Sequence, residues 1–349
     1  MAWNDQVVAT SLHLQTKKLH NNLSVRKPLY SLFYGGKRPA GPKKGQYVAR
    51  KKPKLQSGGH EIRFPLKYDH LTAFRSVGEG DQVQPQVREG IGYGTASWKF
   101  CLGDGAYTWQ QQQANRGKHQ IVNIVEAIRD DLQDSAGDGI EAMCLLDGTG
   151  NGSKDLMGLA ALIRPTPTSG TLFGISQATN EWWRNQYKSS YSAAFLSGVQ
   201  GLKDMRSMWN LCSYQSKGSS TELTMPDVIL TGTNPYESYE ALGYELKRIG
   251  DMETIDLGFM GFKYKSSVIL YVPGLDSYLG AGSTDNMLFL NTNHIYSYID
   301  PVDRWRFIPF REMNTNQPMD RVCHVTFVAQ MICDNLSRQG YLEWTDASA

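Results

Sequence analysis

Residues 121–150 read IVNIVEAIRDDLQDSAGDGIEAMCLLDGTG. Ile121, Val125, Ile128, Leu132, Ala136, Ile140, Met143 and Leu146 recur three or four residues apart. That spacing lays one apolar stripe along an α-helix for about seven turns. Gly137 and Gly139 weaken the interior by about 1 kcal/mol each relative to alanine, which leaves room for a break there. Gly148 supplies the C-terminal stop. Acid pairs such as Asp130 with Asp131 fall on the charged faces and read as solvated surface rather than as a catalytic dyad.

On the N-terminal side of this helix, residues 61–108 alternate short β-like runs with glycine-rich turns. EIRFPLKY and ASWKFCL are the runs, GEGD and REGIGYGT the turns. The pattern predicts a long hairpin. Such a hairpin is marginal in water alone and needs a second surface to lie on. On the C-terminal side the sequence predicts a helix near Ala193 to Tyr214, a buried strand at PDVILTG and a helix near Pro235 to Ile249. Three β stretches then follow: FKYKSSVILYV, MLFLNTNHIYSYI and RVCHVTFVAQMIC. Helices and strands in no simple βαβ order make an α+β chain. At 349 residues it is long enough to bury a substantial core.

The net charge of +2 hides an asymmetry. Residues 1–54 carry twelve Lys or Arg against one acid, Asp5, while the remainder carries −9. From Lys37 to Lys54 the segment KRPAGPKKGQYVARKKPK holds eight basic residues (Lys37, Arg38, Lys43, Lys44, Arg50, Lys51, Lys52 and Lys54), three prolines and no acid. It buries too little apolar surface to offset the entropy of ordering, so a basic arm on an acidic body is expected. If the arm is ordered, the simplest partner to hold it is a neighbouring copy of the same chain. The arm is also the best candidate for phosphate contact without sequence reading.

Other chemistry finds little support. Five widely spaced cysteines suggest neither a disulfide framework nor a zinc site, and read as buried thiols. Seven scattered histidines form no HExxH pair, and no GxSxG elbow occurs. The loop DGTGNGSKD, Asp147 to Asp155, has the alternating oxygens and sixth-position glycine of a calcium loop. Its twelfth position, however, is Gly158 where a bidentate glutamate is needed, so it reads as a solvated turn. Trp182, Trp183 and Arg184 have the makings of a base-stacking platform, but their surroundings are not basic and core or interface packing is expected. No run is long and apolar enough to cross a bilayer, and no secretory signal opens the chain. No cofactor is called for.

Five stretches carry a resemblance. LLDGTG closes the long helix, then come GLAALIRPTPTSGTLFGISQATNEWWRNQ, PDVILTGTNPYESYEAL, LGFMGFKYKSSVILYVP and MLFLNTNHIYSYIDPVDRW. In this order, over two thirds of the chain, they resemble the tailed-bacteriophage major capsid proteins that share the Hong Kong ninety-seven type capsid fold. The resemblance implies an N-terminal arm at 1–60 and an extended loop at 61–108. It implies a peripheral domain whose spine helix lies within 109–158, an axial domain at 159–287, and a return to the peripheral domain at 288–349. It further implies a virion shell subunit without a catalytic site, assembled in the bacterial host cytoplasm as hexamers and pentamers. The packaged double-stranded DNA would touch it non-specifically.

Partners implied are a separate scaffolding protein, a portal protein and a decoration protein. The short stretch before the extended loop leaves no room for a built-in scaffolding segment, and removal of the N-terminus by a maturation protease is not expected. Intersubunit contacts are expected from the basic arm and from Arg75, Glu79, Arg88, Glu89 and Lys99 of the extended loop. Some relatives cross-link subunits through a lysine of the extended loop, but the surroundings of Lys99 do not match theirs and no bond is assigned to it. Rival readings are a DNA-binding protein using the basic arm, an enzyme with a dispersed carboxylate site, and a shell subunit of a cellular nanocompartment.

Overall fold

A chain with one long amphipathic helix and many short strands must find sheets for that helix to cover. The computed structural model describes residues 27–34, 53–71, 74–82, 89–114, 124–190, 200–213, 225–247, 262–265, 267–278, 286–314 and 317–344. Helix α1 (Pro28–Phe33) comes first, followed by β1 (Lys54–Leu55), β2 (Glu61–Lys67), β3 (Ile91–Ser97) and β4 (Lys99–Tyr107). A short helix α2 (Trp109–Ala114) precedes the long helix α3 (Ile124–Leu145). Next are the small hairpin strands β5 (Thr171–Leu172) and β6 (Ile175–Ser176), then β7 (Gln186–Ser190) and α4 (Gln200–Ser213). The chain continues through β8 (Val228–Thr231), α5 (Thr233–Lys247), β9 (Phe262–Tyr264) and β10 (Ser267–Tyr271). It closes with β11 (Asn286–Leu290), β12 (Ile295–Asn314), β13 (Gln317–Cys333) and β14 (Gly340–Trp344). The α+β expectation holds.

The long helix runs unbroken through Gly137 and Gly139. At Gly137 the stem of Lys27 lies where a Cβ would project, so the helix is packed rather than interrupted there. Its stripe faces a four-stranded sheet of order β1-β12-β13-β4, with Leu132 and Ile140 buried. Gly103 and Gly105 of β4 set the approach distance. A Cβ on Gly103 would meet Leu132 Cδ1 at 3.1 Å, and one on Gly105 would meet Ile128 Cγ2 at 3.0 Å. Alternation along β4 therefore leaves its other face, Phe100 and Leu102, turned away from the helix.

The hairpin expected over 61–108 is shorter than the sequence suggests. Among the described residues β2 pairs only with β3, whereas the chain turns at Trp98 and β4 joins β13 in the four-stranded sheet. The reason is tertiary: alternating Cys101, Gly103 and Gly105 fit under α3, a partner the local pattern does not reveal. The second surface that the hairpin needs is, at its base, its own chain. Ile62, Phe64 and Leu66 are buried, Thr95 N donates to Phe173 O at 3.0 Å, and Tyr68 stacks on Trp182 at 5.4 Å.

Residues 27–34 of the N-terminal segment pack on their own chain, while 35–52 lie outside the described residues. Leu29, Leu32, Phe33 and Tyr34 are buried in the main core. Glu141 of α3 accepts the backbone N–H groups of Leu29 at 3.0 Å and Tyr30 at 2.5 Å, satisfying donors that a helix start leaves orphaned. Lys27 donates to Asp134 O at 2.7 Å and pairs with Asp138 at 3.0 Å. Glu141→Ala strands two half-buried donors. The expected cost is about 1–3 kcal/mol, concentrated in local opening of 28–34. Faster amide exchange confined to those residues checks it, and unchanged exchange refutes the clamp.

The remaining strands form a six-stranded sheet of order β7-β14-β11-β8-β10-β9. PDVILTG is its buried strand β8, as the sequence predicts, and is covered on both faces. Ile229, Met287, Phe289 and Leu342 face Met205, Met208, Trp209 and Cys212 of α4. Val228, Leu230, Leu288 and Leu290 face the main core. The predicted helices at 193–214 and 235–249 are found as α4 and α5, residues 191–199 lying outside the described ones.

Candidate functional site

Most of the expected basic arm, Lys37, Arg38, Lys43, Lys44, Arg50, Lys51 and Lys52, lies outside the described residues. Lys54 lies within them, on β1 paired parallel to β12, with its ammonium 3.7 Å from the Tyr296 ring centroid. Its charge is therefore engaged on an aromatic face of the same chain.

Of the extended-loop residues, Arg75 and Glu79 are exposed on the hairpin tip and Glu89 is exposed where the chain returns to β3, while Arg88 lies outside the described residues. Lys99 belongs to β4, half-buried, and its ammonium donates to the Ser153 carbonyl in the turn after α3.

What the structure adds is an apolar surface that sequence reading missed. Phe100 and Leu102 on the outer face of β4 are 75% and 63% exposed, and Ile91 and Tyr93 of β3 and Phe74 and Val77 of the tip are exposed as well. Phe100 and Leu102 lie two residues apart on one face of β4, and exposed apolar side chains placed together in this way mark association surfaces more often than single scattered ones do. A signal existed. In KFCLGDGAY the glycines at 103 and 105 alternate with the side chains, so one face is stripped for helix packing and the other keeps Phe100 and Leu102.

The other motifs resolve into structure. Trp183 is buried, its indole N–H donating to Leu172 O at 3.1 Å, and Arg184 donates to the carbonyls of Gln177 and Ala178 at 2.6 Å each. The group is packed and spent, not a base-stacking platform. The turn 147–155 is exposed. Asp147 accepts Thr149 N at 3.0 Å and Thr149 Oγ1 at 2.8 Å, and these bonds hold its carboxyl below the usual range. All five cysteines are free, four of them buried, and burial pushes the Cys101 thiol up to about 11. Thiols so placed are poor nucleophiles at neutral pH. Among the described residues no helix is long and apolar enough to cross a membrane.

Comparison with solved structures identifies the fold. The chain is similar to the capsid asymmetric unit of cyanophage A-1(L), with a TM-score of 0.68 at 12% identity over 95% of this chain and 96% of that one. It is similar to the capsid of Myoviridae phage XM1, with a TM-score of 0.57 at 10% identity over 84% and 90%. The capsid of a native GTA particle gives 0.54 at 9% identity over 89% and 97%. The fold is that of phage capsid proteins. No family model and no curated protein matches the sequence.

Proposed function

We propose that the chain is the major capsid protein of a tailed bacteriophage, assembling as hexamers and pentamers into the icosahedral head that encloses a double-stranded DNA genome. The observation that carries this reading is the end-to-end fold match, 95% of this chain against 96% of a cyanophage capsid subunit. A partial match would fit a borrowed domain. A whole-chain match fits a shell subunit, whose every segment has an assembly role.

In this reading α3 is the spine helix of a peripheral domain that includes the four-stranded sheet, and β7 to β10 with α4 and α5, all within 159–287, form the axial domain, whose sheet is completed by β11 and β14 at and beyond its C-terminal boundary. The hairpin β2–β3 is the base of the extended loop. Assembly is driven by burial of surface left exposed in the single subunit, chiefly Phe100 and Leu102 on β4 with Ile91 and Tyr93 on β3. Fully burying one such side chain contributes about 1.5–3 kcal/mol, so several modest contacts repeated around a ring suffice without any single strong bond. The basic segment 37–54 lies along neighbouring subunits or against packaged DNA, where its charge neutralises phosphates in a salt-dependent way. A scaffolding protein, a portal and a decoration protein complete the set of partners.

Electron microscopy and sedimentation of the purified chain, alone and with a scaffolding partner, test the reading. Shells, tubes or capsomer rings are expected; a stable monomer under both conditions overturns it. Phe100→Asp with Leu102→Asp sharpens the test. The pair is exposed, so the change in stability should stay within about 0.5 kcal/mol per site, while sedimenting assemblies are lost. Assembly that survives the double change removes the β4 face from the interface.

A further inference from the structure

The two sheets are joined by one interrupted ladder. β11 pairs antiparallel with β14, and the same two runs of chain continue as β12 paired with β13. Between them lie residues 291–294 on one run and 334–339 on the other, where the ladder passes from the six-stranded sheet to the four-stranded one. Polar side chains fill this break. Asn291, Thr292, His294, Ser337, Arg338 and Gln339 are each no more than 5% exposed.

Their hydrogen bonds replace the missing ladder. Asn291 N donates to Gln339 Oε1 at 2.9 Å and Gln339 Nε2 donates to Asn291 O at 3.1 Å, a side-chain copy of one antiparallel step. Asp334 N donates to His294 O at 3.0 Å. The imidazole of His294 lies 2.7 Å from Asp334 Oδ1 through Nδ1, and 3.0 Å from Arg338 Nη1 through Nε2. A guanidinium can only donate, so Nε2 accepts and the ring proton sits on Nδ1, facing the carboxylate. Thr292 N donates to Asp227 Oδ1 at 2.8 Å, which fixes the break to the start of β8.

Apolar packing also crosses the join, since Leu288 and Leu290 share one cluster with Ile295, Ile299 and Phe327. That packing is non-directional and tolerates a small rotation of one sheet against the other. Hydrogen bonds do not, because they weaken steeply outside narrow limits of distance and angle. A buried network of hydrogen bonds spanning the break therefore selects one inter-sheet angle from the several that apolar burial would accept.

We propose that this polar joint sets the angle between the two sheets, with His294, Arg338 and Gln339 as positioning residues, and so fixes the shape in which the subunit meets further copies of itself. Its consequence for particle shape rests on the shell reading above; its geometry does not. The test places spin labels on the exposed positions Glu237 of α5 and Glu312 of β12, through Glu237→Cys and Glu312→Cys. The parent chain, treated with the same label, is the control for the five native thiols, four of which are buried.

Pulsed dipolar spectroscopy of the full chain then reads the inter-sheet distance with and without Arg338→Met. A shifted and broadened distribution is expected, drawn back toward the parent by Arg338→Lys, which keeps a donor for His294. Micrographs should show one particle diameter for the parent and mixed diameters for Arg338→Met. If Arg338→Met does not fold, His294→Gln carries the same comparison. An unchanged distribution in whichever variant folds, with only a lower melting temperature, overturns the proposal and leaves a merely structural network. A shifted distribution in the variant, with a parent that forms no particles, supports the joint and removes the shell reading instead.

Discussion

Replacing Gly158 by alanine is expected to be among the most damaging single-methyl changes in the molecule. A Cβ there would lie under 3 Å from the carbonyl oxygens of Met143 and Leu146 and from the carbonyl carbon of Cys144. These are backbone atoms in the last turn of α3 and just beyond it, so no side chain can swing aside. The chain reaches this point by a forced route. Gly148 takes a φ of 78°, the turn 147–157 reverses direction, and Gly158 then precedes the helical turn whose Leu159, Ala161 and Leu162 are buried.

Relieving the clash means moving either the helix end or that core turn. Overpacking of this kind costs about 3 kcal/mol or more. For a chain of 349 residues, at about 2 cal/mol/K of unfolding entropy per residue, that corresponds to roughly 4 °C in melting temperature. Gly139→Ala is the control. Nothing lies within 4 Å of its would-be Cβ, and helix propensity then favours alanine by about 1 kcal/mol. Calorimetry of the pair decides. A loss under about 2 °C for Gly158→Ala would show that the turn yields.

Trp183→Ala is expected to match or exceed that loss. The side chain is 1% exposed and packs against Phe173 at 6.4 Å and Trp182 at 5.4 Å between ring centroids. Removing a buried tryptophan costs about 3–5 kcal/mol in lost transfer energy and cavity. A second consequence is local. Phe173 and Gly174 form the two-residue turn between β5 and β6 with φ values of 54° and 82°. A phenylalanine in that region is strained by about 1 kcal/mol and stays there only while its surroundings hold it.

Those surroundings are Trp183 and Phe64. Because Phe173 O also accepts Thr95 N, the variant should loosen the base of the β2–β3 hairpin, seen as faster exchange at Thr95. Trp183→Phe keeps most of the packing and loses the bond to Leu172 O, so a cost of about 1–2 kcal/mol is expected. Equal losses for the two variants would put the energy in the hydrogen bond rather than the ring.

Local pattern settled a good deal. The stripe from Ile128 to Met143 needs only helical periodicity to be read, because a single helix buries one face whatever lies opposite. VILT and RVCHVTFVAQMIC read as strands for the same reason. The five ordered stretches carried the resemblance to capsid proteins, and the fold match bears that resemblance out. The candidate contact residues were less legible. Charge in the basic arm is visible in one dimension, but whether Lys54 meets a phosphate or Tyr296 depends on a strand pairing 240 residues away in the chain.

By itself, then, the sequence determined that 124–145 is helix, that VILT and RVCHVTFVAQMIC are strands, where the long helix stops, and that a basic segment precedes a mildly acidic body. Tertiary structure alone decided that β4 leaves the hairpin for β13, that residues 28–34 dock under Glu141, that Phe100 and Leu102 remain exposed, and that a buried polar joint links the sheets. The physical reason is range. Periodicity and turn chemistry act over a few residues, whereas strand partners, and with them which face of a strand is covered, are chosen by contacts between segments far apart in the chain, which no local pattern encodes.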